Sequence, residues 1–211
     1  MNLNFYKVLF CFISLIASSQ VFSNTYISPA VGTKYHVTST QGDFLNEVVS
    51  VDPDRYLTTS TNLGTKSVSE ITRFFGFINF AKNLREDILP LDRDKAKALF
   101  PLKVGNKSSF SHYGGNPKWY RDHVIEVTSE YMGQIGEEKS PIFTLKMRSE
   151  TPGFFKFEGT CEYSVKLASC VEILGDLFIK GNPDTRRPVK LNVTKAQIGG
   201  VDLEVKKPEP K

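Results

Sequence analysis

The sequence predicts a mainly β protein. Residues 143–167 alternate between apolar and polar side chains with a period of two, interrupted by a Thr-Pro-Gly turn at 151–153, and a further apolar run at 171–179 is broken by Gly175-Asp176. Residues 35–74 contain short runs rich in Thr, Val, Tyr and Phe, separated by turn residues. The segment 82–100 contains the good helix formers. We expect an antiparallel meander that forms a sandwich or an open half-barrel from two similar halves, with one short connecting helix.

The N-terminal segment is predicted to be a signal peptide over residues 1–23. Lys7 makes its start weakly positive, residues 8–17 form a short apolar core, and Val-Phe-Ser at 21–23 suits a signal peptidase. The apolar run is short for a bilayer span, and an uncleaved anchor is the alternative. We expect a mature chain that begins near Asn24, has no transmembrane segment, and is periplasmic or secreted.

Two cysteines remain in the predicted mature chain, Cys161 and Cys170, both between residues 143 and 179. In an oxidising compartment a disulfide between them is expected, and closing this short loop stabilises the fold by about 2–3 kcal/mol in the chain-entropy model. Two buried thiols and a redox pair are the alternatives. A redox pair typically has Cys-x-x-Cys spacing beside a βαβ pattern, and the sequence has neither. We therefore predict a structural disulfide.

Two stretches of the chain are similar to each other. Val-Gly-Thr-Lys at 31–34 and Val-Gly-Asn-Lys at 104–107 each open a β run that ends at a Gly-containing turn before a longer strand. This similarity predicts two related halves. The predicted organisation is one β-rich domain at 24–205, halves at about 31–80 and 104–200, a helical connector at about 82–100, and a disordered Pro/Lys/Glu-rich tail at 206–211.

Composition and motifs argue against several functions. The net charge of +4 is mild and no basic block occurs, so nucleic acid is not expected as a partner. His36, His112 and His123 lack the close spacing of a zinc motif, and neither a metal nor another cofactor is expected. No nucleophile elbow or phosphate loop occurs, so no catalytic residue is predicted and the protein is not expected to be an enzyme. A cell-wall hydrolase is the weakest alternative, because paired carboxylates meet only in space.

The aromatic patch at 74–80 is a candidate ligand-binding feature through Phe74, Phe75, Phe77 and Phe80. One interpretation is a buried strand end or the underside of the linker. The other is an exposed lip that admits an apolar ligand or touches a membrane.

The second candidate ligand-binding feature is the pair Arg186 and Arg187, which precedes the last clear strand at 189–193. Guanidinium groups bind phosphate and carboxylate in a two-pronged geometry, so the pair is a candidate anion grip at the rim of a sheet. The alternative is two solvated side chains after a turn.

The run Leu-Phe-Pro-Leu-Lys-Val-Gly at 99–105, followed by a β meander in an exported chain, resembles a pattern in uncharacterised proteobacterial envelope proteins. The strands of those proteins look like the open half-barrels of periplasmic lipoprotein carriers. The resemblance covers about residues 99–200. It implies a periplasmic β fold with a concave apolar surface, and it transfers no catalytic residue.

Two functions from different classes follow. The first is a non-enzymatic, exported binding module for an apolar or lipid-like ligand, indicated by the aromatic content and the patch at 74–80. The second is a structural or interaction subunit of an envelope complex, which pairs through a sheet edge or an apolar surface. The expected partners are thus a lipid or hydrophobic ligand, or another envelope protein.

Overall fold

A computed structural model of the chain describes residues 26–81, 92–113, 120–181 and 185–206. The predicted signal peptide and residues 207–211 of the predicted tail lie outside them. The described chain forms twelve β-strands and one short helix, α1 (Arg93–Lys97). The strands are β1 (Lys34–Ser39), β2 (Gly42–Val51), β3 (Arg55–Asn62), β4 (Val68–Phe74), β5 (Ile78–Ala81), β6 (Lys107–Tyr113), β7 (Tyr120–Ile135), β8 (Glu138–Thr151), β9 (Phe155–Ser164), β10 (Ser169–Ile179), β11 (Thr185–Ile198) and β12 (Val201–Lys206).

All twelve strands join one antiparallel sheet, which confirms the predicted mainly β fold with one short helix in the part of the chain described. The strand order is β10-β9-β8-β7-β12-β11-β1-β2-β3-β4-β5, and β6 also pairs with β7. The sheet therefore contains two meanders, β1 to β5 and β6 to β10. Strand β11 connects them, since it pairs with β1 along one edge and with β10 and β12 along the other.

Strands β7 to β12 curve into a partial ring. Strand β10 pairs with both β9 and β11, and β12 reaches β7 through two residue pairs, Val205 with Ile135 and Lys206 with Gln134. One curved sheet is closer to the half-barrel than to the sandwich, in which two separate sheets pack face to face. Lys206, which the composition placed in the tail, ends the last strand.

The alternation of apolar and polar residues places apolar side chains inside the curve, in two clusters. The first cluster lies between α1 and the second meander and includes the fully buried Leu99, Phe143 and Leu145. The second includes Tyr35 from β1 and Val193 from β11. Burial of apolar surface is the main favourable term in folding, so these two clusters stabilise the described part of the chain.

Cys161 and Cys170 form the predicted disulfide inside the first cluster. They lie on the adjacent strands β9 and β10, with Cα atoms 5.5 Å apart. A bulge between Cys170 and Glu172 shifts the register, so that Cys161 lies opposite Ile173. Both cysteines are buried, which agrees with a structural bond, and a disulfide fits a protein exported to an oxidising compartment.

The turns between strands define two ends of the sheet. Ser39 at the end of β1 lies opposite Leu191, and Lys34 at its start lies opposite Gln197. The end of β1 and the start of β11 therefore lie on the same side of the sheet. We call this side the mouth end; it carries the β1–β2, β3–β4, β8–β9 and β10–β11 connections. The opposite side, the closed end, carries the β2–β3, β4–β5, β7–β8, β9–β10 and β11–β12 turns.

The closed end is sealed by the turn between β9 and β10. The hydroxyl of Tyr35 donates to the carbonyl oxygen of Leu167 at 2.9 Å, and that of Tyr56 donates to the carbonyl oxygen of Ala168 at 3.3 Å. The amide of Cys170 donates to the carbonyl oxygen of Gly76 at 3.4 Å. Gly76 has a φ of +75°, and a Cβ at this position would collide with the Ala168 carbonyl. Glycine at position 76 thus permits the two turns to touch.

The two similar tetrapeptides adopt the same backbone arrangement. The amide of Gly32 donates to the carbonyl oxygen of Val48 at 2.8 Å, and the amide of Gly105 donates to that of Val127 at 2.8 Å. Each valine amide returns a hydrogen bond to the residue after its glycine. Both glycines have positive φ, and a bulge follows both valines. The local similarity seen in the sequence is therefore a similarity of structure.

Two strands and part of the connector differ from the sequence-based prediction. Strand β5 is formed by the second half of the aromatic patch, which was not predicted as a separate strand. Strand β12 follows the Gly199-Gly200 turn, and no strand was predicted there. In the connector predicted at 82–100, the described helix is only α1, and residues 82–91 lie outside the described residues. The Asp92 carboxylate accepts hydrogen bonds from Lys95 and from the Ser111 amide, not from the first amides of the helix.

Candidate binding groove

A groove opens at the mouth end, between the inner face of the first meander and the strands β10 and β11. Successive residues of a strand face opposite sides, so alternate residues of β1 to β4 form its floor. Tyr35, Asn46, Ser60 and Ser69 are direct neighbours across these four strands and give the inner face a polar row. The last three line a cavity of about 540 Å³, a volume typical of small-ligand sites.

The walls of the groove are mainly apolar, and its charged residues have one sign. The charged lining residues are Arg73, Arg187 and Lys190, with no Asp or Glu among the lining residues described. Such a lining attracts anions, and the apolar walls favour a ligand that also has an apolar body. The apolar side chains are those of Val37, Phe44, Ile71, Leu177, Pro188, Val189 and Leu191.

Asn46 is the least satisfied polar side chain of the floor. It is 4% exposed, and its carbonyl oxygen Oδ1 has no hydrogen-bond donor within the described part of the chain. A buried acceptor without a donor costs roughly 1–3 kcal/mol of stability. Asn46 lines both the groove and the small cavity beneath it. A hydroxyl or N–H donor on a bound ligand would remove this cost, whereas an ionised carboxylate, which only accepts, would not.

Arg73 brings a positive charge to the inner end of the groove. It is buried at 8% exposure, and it lies opposite Tyr56 in the sheet. Burial raises the pKa values of both Tyr35 and Tyr56, while the Arg73 guanidinium acts on both phenols in the opposite direction. Both phenols therefore stay neutral donors near pH 7. The attraction between the Arg73 charge and an anion is stronger here than at a solvated surface, because the surroundings are less polar than water.

Arg186 and Arg187 do not form the shared anion grip considered from the sequence, because consecutive strand residues face opposite sides. Arg187 lies opposite Leu177 and lines the groove. Arg186 lies opposite Phe178 on the other face and donates to the Asp176 carboxylate at 2.7 Å. The described residues offer Arg187 no carboxylate partner within ion-pair distance. Arg187 alone of the two is placed to meet an anion in the groove.

Three phenylalanines of the aromatic patch are part of the core. Phe74, Phe75 and Phe77 are 2–3% exposed, so the interpretation as a buried strand end is the one observed, and an exposed lip is not. Phe75 and Phe77 pack against Phe100, with ring centroids 5.9 and 6.2 Å apart. Phe80 lies in β5. Phe74, Phe75 and Phe77 are not among the lining residues of the groove.

A serine and a histidine approach each other elsewhere in the sheet. Ser149 Oγ lies 2.8 Å from His123 Nδ1, and the imidazole stacks on Phe110 with ring centroids 5.1 Å apart. Such a pair resembles a nucleophile with its base. The side chains are 8% and 4% exposed, and neither lines the groove. The contact therefore satisfies two buried polar groups between β7 and β8 without offering them to a substrate.

The sequence singled out Arg187 but missed Asn46 and Arg73. A signal for Asn46 exists, because it shares its strand face with Phe44 and Val48, and a polar residue on an apolar face is unusual. Arg73 has a weaker signal, since Ser69 and Ile71 precede it on its face and do not mark that face as buried. The closeness of β11 to the first meander is a long-range property that no local pattern reports.

No helix among residues 26–81, 92–113, 120–181 and 185–206 is long and apolar enough to cross a membrane. The same residues contain no group of three His, Cys, Asp or Glu side chains arranged to hold a metal ion.

Comparisons with known proteins give little sequence similarity. No protein-family model matches the chain, and no curated protein matches it. Among solved structures, the hypothetical lipoprotein YmcC from Escherichia coli K12 aligns with a TM-score of 0.46 at 7% identity, over 84% of this chain and 92% of that one. At this level of similarity no ligand, partner or residue role transfers. The resemblance of residues 99–105 to envelope proteins is thus not supported by a family model.

Proposed function

We propose that the protein is an exported, non-enzymatic binding module that holds a lipid-like anion in the groove. The ligand class is an apolar body that carries a carboxylate or phosphate group. The observation that carries the proposal is a groove with apolar walls whose charged lining residues are all cationic. The disulfide between Cys161 and Cys170 supports the export compartment.

The geometry supports one orientation of the ligand. The apolar residues Phe44, Leu177 and Val189 are suited to the hydrocarbon part. Arg187 is exposed near the mouth and Arg73 is buried, so the negative group has a cation at either depth. A carboxylate or phosphate that accepts from a guanidinium forms a charge-assisted hydrogen bond, which is about twice as strong as a neutral one.

Displacement of a fluorescent fatty acid tests the proposal. The fatty acid supplies both the apolar body and the carboxylate, and its neutral amide supplies only the first. We expect saturable binding of the acid at one site and weaker binding of the amide. The Arg187→Glu variant should bind the acid roughly tenfold more weakly, because a hydrogen bond to a charged group is lost and a repulsive charge is added.

The matched control is Arg186→Glu. It makes the same chemical change one residue away, but on the opposite face of β11, so it should leave the affinity for the fatty acid unchanged. Equal losses in the two variants, or the absence of saturable binding, would contradict the proposal.

The alternative function is an interaction subunit of an envelope complex. Its support comes from β5 and β6, each of which pairs along one edge only within the described residues. A strand with a free edge can accept a strand from another protein. Crosslinking in cells separates the two functions: an interaction subunit gives a defined protein complex whose yield is independent of Arg187.

A further inference from the structure

The mouth end carries a second concave feature, the rim depression, beside the β8–β9 turn. It has a volume of about 360 Å³. The amide of Lys180 donates to the carbonyl oxygen of Phe154 at 2.8 Å, which ties the β10–β11 connection to this turn. The groove opens at the same end of the sheet, next to Gln41 of the β1–β2 turn. The residues that line the rim depression include Glu150, Phe155, Lys156, Phe178, Lys180 and Arg186.

The lining of the rim depression contains three cationic residues and one carboxylate. The carboxylate, Glu150, accepts from Arg148 at 2.7 Å, and this hydrogen bond lowers its pKa. Two of the cations are also paired, Lys156 with Glu158 at 2.6 Å and Arg186 with Asp176 at 2.7 Å. Lys180 has no carboxylate partner within ion-pair distance among the described residues, so it is the lining cation that is left to meet a phosphate group.

Two phenylalanines lie beside these cations, one exposed and one covered. Phe154 is 60% exposed at the tip of the β8–β9 turn. The Arg121 guanidinium lies 4.0 Å from the ring centroid of Phe155, and burial lowers the pKa of Arg121 to about 10, so it remains a cation at neutral pH. An exposed aromatic ring beside cations is the combination that binds the interface of an anionic bilayer, because the ring enters the headgroup region while the cations meet phosphates.

We propose that the mouth end docks on an anionic lipid surface, with Phe154 among the headgroups and Lys180 against their phosphates. This surface is separate from the groove, and the inference goes beyond ligand binding. Docking in this orientation turns the groove toward the bilayer, the place from which a lipid-like ligand enters or leaves. An anionic bilayer is the partner that fits, because its negative headgroups complement the positive charge of Lys180.

Sedimentation with vesicles tests the docking. The parent and every variant are expressed from the same coding sequence and purified in the same way, so they share one N-terminus. A difference in vesicle binding between two variants then comes from the substituted residues. The vesicles are phosphatidylcholine alone, and an equimolar mixture with phosphatidylglycerol. We expect binding to the mixture that weakens with salt, and roughly tenfold weaker partitioning for Phe154→Ala and for Lys180→Glu.

Controls at the closed end match each change. Val201 is 61% exposed and Lys139 is exposed in the β7–β8 hairpin, so Val201→Ala and Lys139→Glu repeat the loss of apolar surface and the charge reversal at the other end. Both should bind vesicles as the parent does. Equal losses at the two ends, or a Phe154→Ala variant that binds like the parent, would overturn the proposal.

One further variant separates this proposal from ligand binding. Asn46→Leu alters the floor of the groove and leaves the mouth-end surface intact, so it should bind vesicles as the parent does. If Asn46→Leu binds vesicles as the parent does and the parent binds no fatty acid, the docking proposal stands and the proposed binding function of the groove is wrong. Lost vesicle binding in Asn46→Leu would overturn the separation of the two surfaces.

Discussion

The hydroxyl of Tyr35 donates a hydrogen bond to the main-chain carbonyl oxygen of Leu167 at 2.9 Å, across 132 residues of sequence. This contact joins the first meander to the turn between β9 and β10 and helps to seal the closed end. Removing a buried donor leaves the carbonyl oxygen unpaired, which costs roughly 1–3 kcal/mol. Tyr35→Phe should lower the free energy of unfolding by about that amount.

Urea denaturation measures this loss, and Tyr56→Phe is the comparison. The Tyr56 hydroxyl donates to the Ala168 carbonyl oxygen at 3.3 Å and also forms a hydrogen bond with the Ser169 side chain, so this variant should lose a similar amount of stability. Equal stability of Tyr35→Phe and the parent would contradict the role assigned to this contact.

The buried phenols predict that the fold weakens in alkali. Burial raises the pKa values of Tyr35, Tyr56 and Tyr163 above the unfolded value of 10.0. A group whose folded pKa is raised contributes stability that is complete below the unfolded pKa and is lost as the pH rises above it. The free energy of unfolding should therefore be level below about pH 9 and fall with increasing pH above 10. Tyr163→Phe should make that fall shallower, and an unchanged slope would contradict the assignment.

Gly76 and Gly32 allow the effect of a collision to be separated from that of backbone strain. Both have positive φ, +75° and +83°, but a Cβ at Gly76 collides with the Ala168 carbonyl, whereas a Cβ at Gly32 meets nothing within 4 Å. Gly32→Ala should cost about 1 kcal/mol from strain alone, and Gly76→Ala should cost roughly 3 kcal/mol or more. Thermal unfolding of the two variants checks this, and similar melting temperatures would mean that the two turns are free to separate.

Asn46 should tolerate an apolar replacement. Asn46→Leu removes a buried acceptor that has no donor, so the free energy of unfolding should stay level or rise by about 1 kcal/mol. A fatty-acid carboxylate has no proton to donate to Oδ1, so the affinity for the fatty acid should not fall. Asn62→Leu is the control, because Asn62 Oδ1 accepts from the amides of Gly64 and Thr65, each at 2.9 Å. That control should lose stability. A destabilised Asn46→Leu variant would mean that the side chain supports the fold.

Local patterns predicted much of the sheet, because period-two alternation reports which face of a strand is buried. The runs around Phe143 and Phe155 became β8 and β9, and the two cysteines met as expected. The predicted pair Arg186 and Arg187 failed as a joint grip because the same alternation separates neighbours. Phe74, Phe75 and Phe77 proved to be core, which composition alone does not distinguish from an exposed lip.

The groove was not predictable from the same patterns. It depends on β11, which pairs with β1 on one edge and with β10 on the other. These pairings join residues far apart in sequence, and they are decided by the curvature of the whole sheet. Asn46 and Arg187 become parts of one site only after that curvature is known.

Native mass spectrometry of the protein, isolated gently from cells, shows whether the groove holds a ligand. We expect a stoichiometric adduct of lipid size that carries an acidic group, present in the parent and in Arg186→Glu and depleted in Arg187→Glu. A bare monomer or a complex of protein alone would contradict it, and an adduct retained equally by both arginine variants would place the ligand outside the groove.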